Sequence, residues 1–589
     1  MKRLTLLTLL LITATAMQGE VIYKVSFPKP ETHYVQIEME IDLAKGERTF
    51  TDFIMPVWTP GSYKVREFSR NVEDVIATSD GKELAVEKAN KNTWRVNFKK
   101  GVSKIKFSYK VYAFEYGVRT SYVDVFQAFL HGVSVFMYAE GFQNQACKIS
   151  FDKPDIWNHI TVALPALASN TFVAENYDLL ADSPFALGNH ELIYFEVAGI
   201  KHRVAMLGEG NYDKEKIKTD FTKIIEKEVA MMGEHPSPEY VVFVQNVESG
   251  GGGLEHLNSQ TSVIQRWGYS NETKYKSFLS LIAHEYFHLW NVKRIRPIEL
   301  GPFDYTKENY TKMLWVVEGI TSYYDDLFIK RCEIYKEEEY LNIVATAINK
   351  MENLPGGKVQ SLAESSFDAW IKFYLPDENS DNATISYYQK GMLAAMVVDL
   401  EIIKRTHGKK KMDDVMRLLY TDFYKTKKRG FTQDEFAKAL ETVAGSSFTD
   451  LLKEVVYTTN PIAYKKYLEY VGLELKNQPS GKMPLGINTK LENGKTLVKF
   501  VEINRPASKA GLCVNDEIIA INGYRVNGDI DEFTSRFKEG VEVDMIVSRA
   551  GKLITLKVIP EKDPTVNYKV VKMETQLDEQ KVLFDFWSK

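Results

Sequence analysis

The hydrophobic period changes twice along this chain of 589 residues, and one packed layer cannot satisfy both periods. Over residues 21–204 apolar and polar residues alternate, as in Tyr34-Val35-Gln36-Ile37-Glu38-Met39-Glu40-Ile41, and turn residues such as Asp80-Gly81 separate the runs. A period of two turns every second side chain to the same face, so this part reads as an all-β domain. Over residues 211–474 the spacing becomes helical, with candidate helices at 276–292, 312–329, 390–405 and 436–443 and a strand-like segment at 240–247. Short strands return at 496–501, 517–521 and 541–547, with Asn522-Gly523 as a turn. The expected architecture is multidomain α+β: an N-terminal β domain over 17–205, a mainly helical domain over 206–474 and a small β-rich module over 475–562. The tail, 563–589, carries Phe584-Asp585-Phe586-Trp587 and is apolar enough to dock.

Lys and Arg number 75 against 79 Asp and Glu, a formal net charge of −4, so no global basic field favours nucleic acid as a partner. Lys2 and Arg3 precede an apolar run from Leu4 to about Ala14 and the small-residue sequence Ala14-Thr15-Ala16, which fits a secretory signal peptide over residues 1–16. Export to a bacterial periplasm or exterior is the expectation, with no transmembrane segment in the mature chain, because the run is too short to span a bilayer. Cys147, Cys332 and Cys513 lack metal spacing and allow at most one internal disulfide.

The strongest chemical signal is His284-Glu285-Tyr286-Phe287-His288, set among Phe278, Leu281, Ile282 and Leu289. On a helix, positions i and i+4 project from one face, so both imidazoles can reach one zinc ion while Glu285 stands beside it as general acid and base. With ten His in the whole chain, accident is a poor account of this pattern. A catalytic zinc needs a third protein ligand and an open position. Glu318 in Trp315-Val316-Val317-Glu318-Gly319 is the leading candidate, since a carboxylate among apolar residues is costly unless paired or metal-bound. Glu299, Asp304 and Glu308 are weaker alternatives. Lys293, Arg294 and Arg296 fit either a substrate carboxylate or the C-terminal dipole of the metal helix.

These residues resemble the gluzincin metallopeptidases, and Trp290-Asn291-Val292-Lys293-Arg294-Ile295-Arg296-Pro297 resembles the M61 glycyl aminopeptidase family in particular. Met55-Pro56-Val57-Trp58-Thr59-Pro60-Gly61-Ser62-Tyr63 and Tyr116-Gly117-Val118-Arg119-Thr120-Ser121-Tyr122 resemble the β domain of that family. The resemblance implies a zinc aminopeptidase with an N-terminal β domain, a thermolysin-like catalytic domain and a PDZ module. The interval before Glu318 is longer than in the M1 and thermolysin patterns. Gly252-Gly253-Leu254-Glu255-His256 is similar to the G-x-M-E-N motif of M1 aminopeptidases, which implies that Gly252 and Gly253 admit the substrate backbone and that Glu255 pairs with its α-ammonium. His256 stands where that pattern has Asn. Tyr388-Gln389-Lys390-Gly391 resembles the Y-x-K-G segment and implies Tyr388 as donor to the oxyanion. Pro484-Leu485-Gly486-Ile487 and Asp516-Glu517-Ile518-Ile519-Ala520-Ile521-Asn522-Gly523 resemble a PDZ domain, with Leu485, Gly486 and Ile487 as the peptide carboxylate loop.

The expected function is an exported aminopeptidase with one zinc per chain that hydrolyses peptide substrates by zinc-activated water, with small N-terminal residues (Gly, Ala) implied by the resemblance. Two alternatives use the same features. One is a zinc endopeptidase directed by PDZ recognition of peptide C-termini; the other is a PDZ binding protein with an inactive peptidase domain. The intact set of His284, Glu285, His288 and Glu318 argues against the last.

Overall fold

The computed structural model describes residues 20–43, 48–479, 481 and 483–589; the expected signal peptide lies outside them. Packing divides the chain into two units, the first ending at Val57 and resuming over Arg66–His190, the second made of Trp58–Val65 and Glu191–Lys589.

The first unit contains an eleven-stranded sheet and a four-stranded sheet. Strand Tyr34–Asp42 pairs antiparallel with Lys104–Tyr112, so that Val35 faces Val111, Ile37 faces Tyr109, Met39 faces Phe107 and Ile41 faces Ile105. All eight are buried, while the residues between them are half-buried. The alternation in the sequence is thus the inner face of a sheet.

The second unit opens with a five-stranded sheet in the order Glu191–Val197, Ile200–Leu207, Glu239–Val247, Ser259–Gln265, Gly252–Glu255. Ile200–Leu207 and Glu239–Val247 are parallel and are joined by the helix Lys214–Met232. The division expected at residue 205 falls inside Ile200–Leu207; short strands lie on both sides of His190, Phe185–Gly188 and Glu191–Val197, and strand pattern alone does not reveal a change of sheet. The central strand keeps Tyr240 through Val244 buried on both faces. Gly252–Glu255 lies at the sheet's edge, antiparallel to Ser259–Gln265.

The helical region contains Glu272–Phe287, Ile320–Arg331, Gln389–Arg405 and Gln433–Ala444, which overlap the four helices expected there. Asn271 begins the first of these by accepting from the Lys274 N–H at 3.0 Å. Among the described residues no helix is long and apolar enough to cross a membrane, and the three cysteines are unpaired.

Strands Ile487–Glu492, Lys495–Val501, Glu517–Ile521, Val543–Arg549 and Lys552–Val558 form one sheet, with Tyr524–Arg525 added to it and a separate core that includes Leu485, Val498, Ile518, Met545 and Val547. Leu473–Asn477 pairs with Tyr568–Lys572 and closes this module at its base. The helix Asp578–Ser588 then returns Trp587 to the helical core, where its indole N–H donates to Tyr323 Oη at 2.7 Å. Tyr323 Oη donates to Asp399 Oδ2 at 2.5 Å, so the indole completes a buried chain of polar groups. Replacing Trp587 with Ala empties a fully buried site and should cost about 3 to 5 kcal/mol of stability, read as a lower urea midpoint; an unchanged midpoint would show that the tail does not contribute to the core.

Candidate active site

The histidine helix Glu272–Phe287 buries Tyr275, Phe278, Leu279, Ile282, Ala283 and Tyr286, and this apolar face fixes the rotation of His284 and His288. His288 Nδ1 donates to the Asn291 carbonyl at 2.7 Å. A carbonyl only accepts, so the proton is on Nδ1, and the neutral ring presents an Nε2 lone pair. His284 Nδ1 meets Asp325 Oδ2 at 2.9 Å in the same sense. Both Nε2 atoms converge on Glu318 Oε2, at 3.6 Å from His284 and 3.3 Å from His288.

Glu318 lies in a single π-helical turn, Trp315–Gly319, that leads into Ile320–Arg331. Such turns shift the face of a helix and recur at functional sites. Two contacts hold it. The Asn291 amide donates to the carbonyls of Val316 at 3.0 Å and Val317 at 3.2 Å and to Thr321 Oγ1 at 3.0 Å, tying the end of the histidine helix to the π turn. On the other side Gly319 meets Gly391 of the helix Gln389–Arg405: a Cβ on Gly319 would stand 2.5 Å from Gly391 Cα, and one on Gly391 would stand 2.8 Å from Gly319 Cα. Neither position admits a side chain without the helices moving apart.

Glu318 is 2 % exposed. Burial alone would raise its carboxyl, yet without a metal the His288 and His284 rings, in their protonated form, hold it down at about 2. The three donor atoms lie within 4.8 Å of one another. A tetrahedral zinc with ligands at about 2.0 to 2.1 Å would separate them by about 3.3 Å, so the donor set fits that ion and leaves a fourth position open. Glu299, Asp304 and Glu308 take no part in this group.

Glu285 is buried beside it. Desolvation pushes its carboxyl up to about 7 against the pull of His284 and His288, and its Oε2 has no hydrogen-bond partner among the described residues. A Cβ on Gly253 would overlap the Glu285 carboxyl, so glycine there lets the edge strand lie directly over that group. Glu255, on the same strand, forms a second close group with Glu285 and His288. Its Oε1 is buried and has no hydrogen-bond partner in the described protein. Tyr388 caps the start of Gln389–Arg405, with its ring centroid 6.2 Å from that of His284 and its hydroxyl 3.3 Å from that of Tyr374. Leu485, Gly486 and Ile487 lie instead at the head of the edge strand Ile487–Glu492 in the C-terminal module.

Some residues that shape the site are not among those singled out from the sequence. Asp325 follows Glu318 by seven residues, two helical turns, and that spacing is a usable signal. Segment Trp58–Val65 is part of the second unit: Trp58 Nε1 donates to the Asp304 carbonyl at 2.8 Å, and Tyr63 is buried with Glu318 and Glu255 acting on its phenol. Gly61, at φ +86°, would place a Cβ 2.5 Å from both carboxylate oxygens of Glu255. No local pattern reveals contacts over so many residues.

Residues 22–189 match the Peptidase M61 N-terminal domain, and residues 277–394 match the M61 glycyl aminopeptidase family. The structure is similar to that of an aminopeptidase N family protein from Idiomarina loihiensis, with a TM-score of 0.89 and 29% identity, over 97% of this chain and 100% of that one. A looser likeness, with a TM-score of 0.49 and 10% identity, is to an M1 zinc metallopeptidase from Deinococcus radiodurans, over 75% of this chain and 94% of that one. Among curated proteins no match was found.

Gly391→Ala tests the glycine contact. The added methyl should cost about 1 to 3 kcal/mol of stability by overpacking and lower activity by moving Glu318 relative to His284 and His288. Unfolding curves and peptide turnover measured together check this, and wild-type values in both would refute the role given to the contact.

Proposed function

We propose that this protein is a zinc-dependent aminopeptidase, and the observation that carries the reading is the convergence of His284 Nε2, His288 Nε2 and Glu318 Oε2 while both Nδ1 atoms are held by acceptors. Zinc, when bound, polarises the scissile carbonyl and makes water a nucleophile near neutral pH. The protein's own groups divide the remaining work. Glu285, with an unpartnered oxygen and a carboxyl near neutrality, takes a proton from the attacking water and delivers it to the leaving amine. Tyr388 donates from its hydroxyl to the oxygen on which charge develops. Asp325 and the Asn291 carbonyl keep the two imidazoles in one tautomer.

Position in the cleft decides between trimming an end and cutting internally. Gly252–Glu255 is an edge strand whose partner lies on one side only, and an extended peptide can add along its glycines. Glu255 stands at the end of that strand against Gly61, which supports its pairing with the α-ammonium of the first residue. A preference for small first residues, and export, rest on the sequence resemblance and on the N-terminal sequence. The C-terminal module, residues 475–562, is read as a PDZ domain: Ile487–Glu492 is an edge strand, and Gly486 enters it at φ +75°. Leu485, Gly486 and Ile487 would then receive a peptide carboxylate.

Removal of metal by a chelator should abolish turnover, and zinc should restore it at one ion per chain. Glu285→Gln should keep the zinc yet lose at least about 10² to 10⁴ in kcat. N-acetylation of the substrate should nearly abolish cleavage, because it leaves the Glu255 carboxylate buried and unpaired, a loss of about 10² or more in kcat/KM. Comparable cleavage of free and acetylated peptides at internal bonds would replace this reading with a PDZ-directed endopeptidase.

A further inference from the structure

Away from the zinc ligands, six cations from two segments line one cleft of about 380 Å³. Lys293, Arg294 and Arg296 come from the turn that follows the histidine helix; Lys425, Lys428 and Arg429 come from the end of the π-helical segment Tyr420–Lys427. Tyr424 completes the lining, and no acidic side chain contributes to it. Charge of one sign gathered in a concave surface repels itself and focuses a field on whatever enters.

Lys425 and Arg429 are among the cations balanced from outside the lining. Lys425 Nζ lies 2.7 Å from Glu234, and Arg429 lies 2.7 Å from Glu435. Arg294 is different. It is 5 % exposed, and its guanidinium donates to neutral oxygens, the carbonyls of Leu289 at 2.7 Å and Leu257 at 2.9 Å and Asn258 Oδ1 at 3.2 Å, and also bonds the Tyr424 phenol. Its Nε has no partner among the described residues, and its head lies 5.8 Å from the centre of the Tyr424 ring. A buried guanidinium normally has a carboxylate; among the described residues none meets this one, and the charge faces a cleft rich in further cations. Lys428, at the left-handed residue that ends the π-helical segment, is exposed and makes no salt bridge among the described residues.

We propose that this cleft is a binding site for a small multivalent oxyanion of the phosphate type, with pyrophosphate as its simplest form. Guanidinium groups supply forked hydrogen bonds to phosphoryl oxygens and the lysines supply point charges, a combination that one carboxylate would satisfy poorly. The balanced charge of the whole chain does not conflict with this, since the field is local. Arg294 also joins the end of the histidine helix, through Leu289, to the turn after Glu255, through Leu257. A ligand that neutralises it would hold those two segments together.

The probe is pyrophosphate, titrated calorimetrically into the full chain at fixed ionic strength, with zinc content measured before and after so that chelation is not read as binding. One saturable site is expected. Lys428→Glu should weaken it about tenfold or more by reversing a charge on the lining, with an unchanged thermal midpoint because the side chain is exposed, and Lys293→Gln should weaken it in the same direction. A parallel titration with a nucleoside diphosphate identifies the source: equal affinity means the inorganic anion, tighter affinity means a phosphoanhydride carrying a base. No binding at millimolar pyrophosphate, or the same affinity in wild type and Lys428→Glu, overturns the proposal.

Discussion

The approach of Gly319 to Gly391 is the constraint on which the candidate site depends. It brings the start of Gln389–Arg405, with Tyr388, against the π turn that carries Glu318. The opposite side of the same turn is fixed by the Asn291 side-chain amide, and the backbone carbonyl of the same residue orients His288. One backbone contact and one side-chain amide therefore set the third donor relative to the first two. The glycines in Trp315-x-x-Glu318-Gly319 and Tyr388-x-Lys390-Gly391 are there for helix packing, and the chemistry of their neighbours follows from it.

Charge is the cost of that arrangement. Glu255, Glu285, Glu318 and Asp325 surround two imidazoles, all of them buried or nearly so. Self-repulsion of this kind is tolerable only if protons or a cation are shared among the carboxylates. The two neighbouring groups are displaced in opposite directions, Glu318 to about 2 and Glu285 to about 7, a separation of the kind that acid-base sites use.

The sequence made His284, Glu285 and His288 legible because their setting is local: an apolar helical face determines where positions i and i+4 point. Glu318 was accessible through the cost of burying a lone carboxylate, although the π turn that aims it has no pattern of its own. Gly61 and Tyr63 belong to the β-domain resemblance, and their place against Glu255 arises because Trp58–Val65 packs with the second unit. A period-2 signal cannot report that excursion, nor the change of sheet at His190, since it does not say which sheet a strand joins. Likewise the basic residues after the histidine helix fit either a substrate carboxylate or a helix-end device. Arg294 does bind the Leu289 carbonyl at that end, but the cations that face it come from a segment about 130 residues later, outside the reach of any local reading.

The C-terminal module has its own core and is closed at its base by Leu473–Asn477 and Tyr568–Lys572, and specific hydrogen bonds attach it to the helical region. Asn382 forms two of them: its amide donates to the Val501 carbonyl at 2.9 Å, and its side-chain oxygen accepts from the Ile503 N–H at 3.0 Å. Between those positions the Glu502 N–H donates to the Gly486 carbonyl at 2.7 Å. The loop at Gly486 and the segment that reaches Tyr388 six residues after Asn382 are thus two sides of one short hydrogen-bonded strip. Thr384 packs against Gly356, and Ser365 donates to the Ile385 carbonyl at 2.7 Å, so the segment is braced from the helical side as well. A displacement of the Gly486 loop therefore meets a braced segment at Asn382, and the two hydrogen bonds there are the first to bear it.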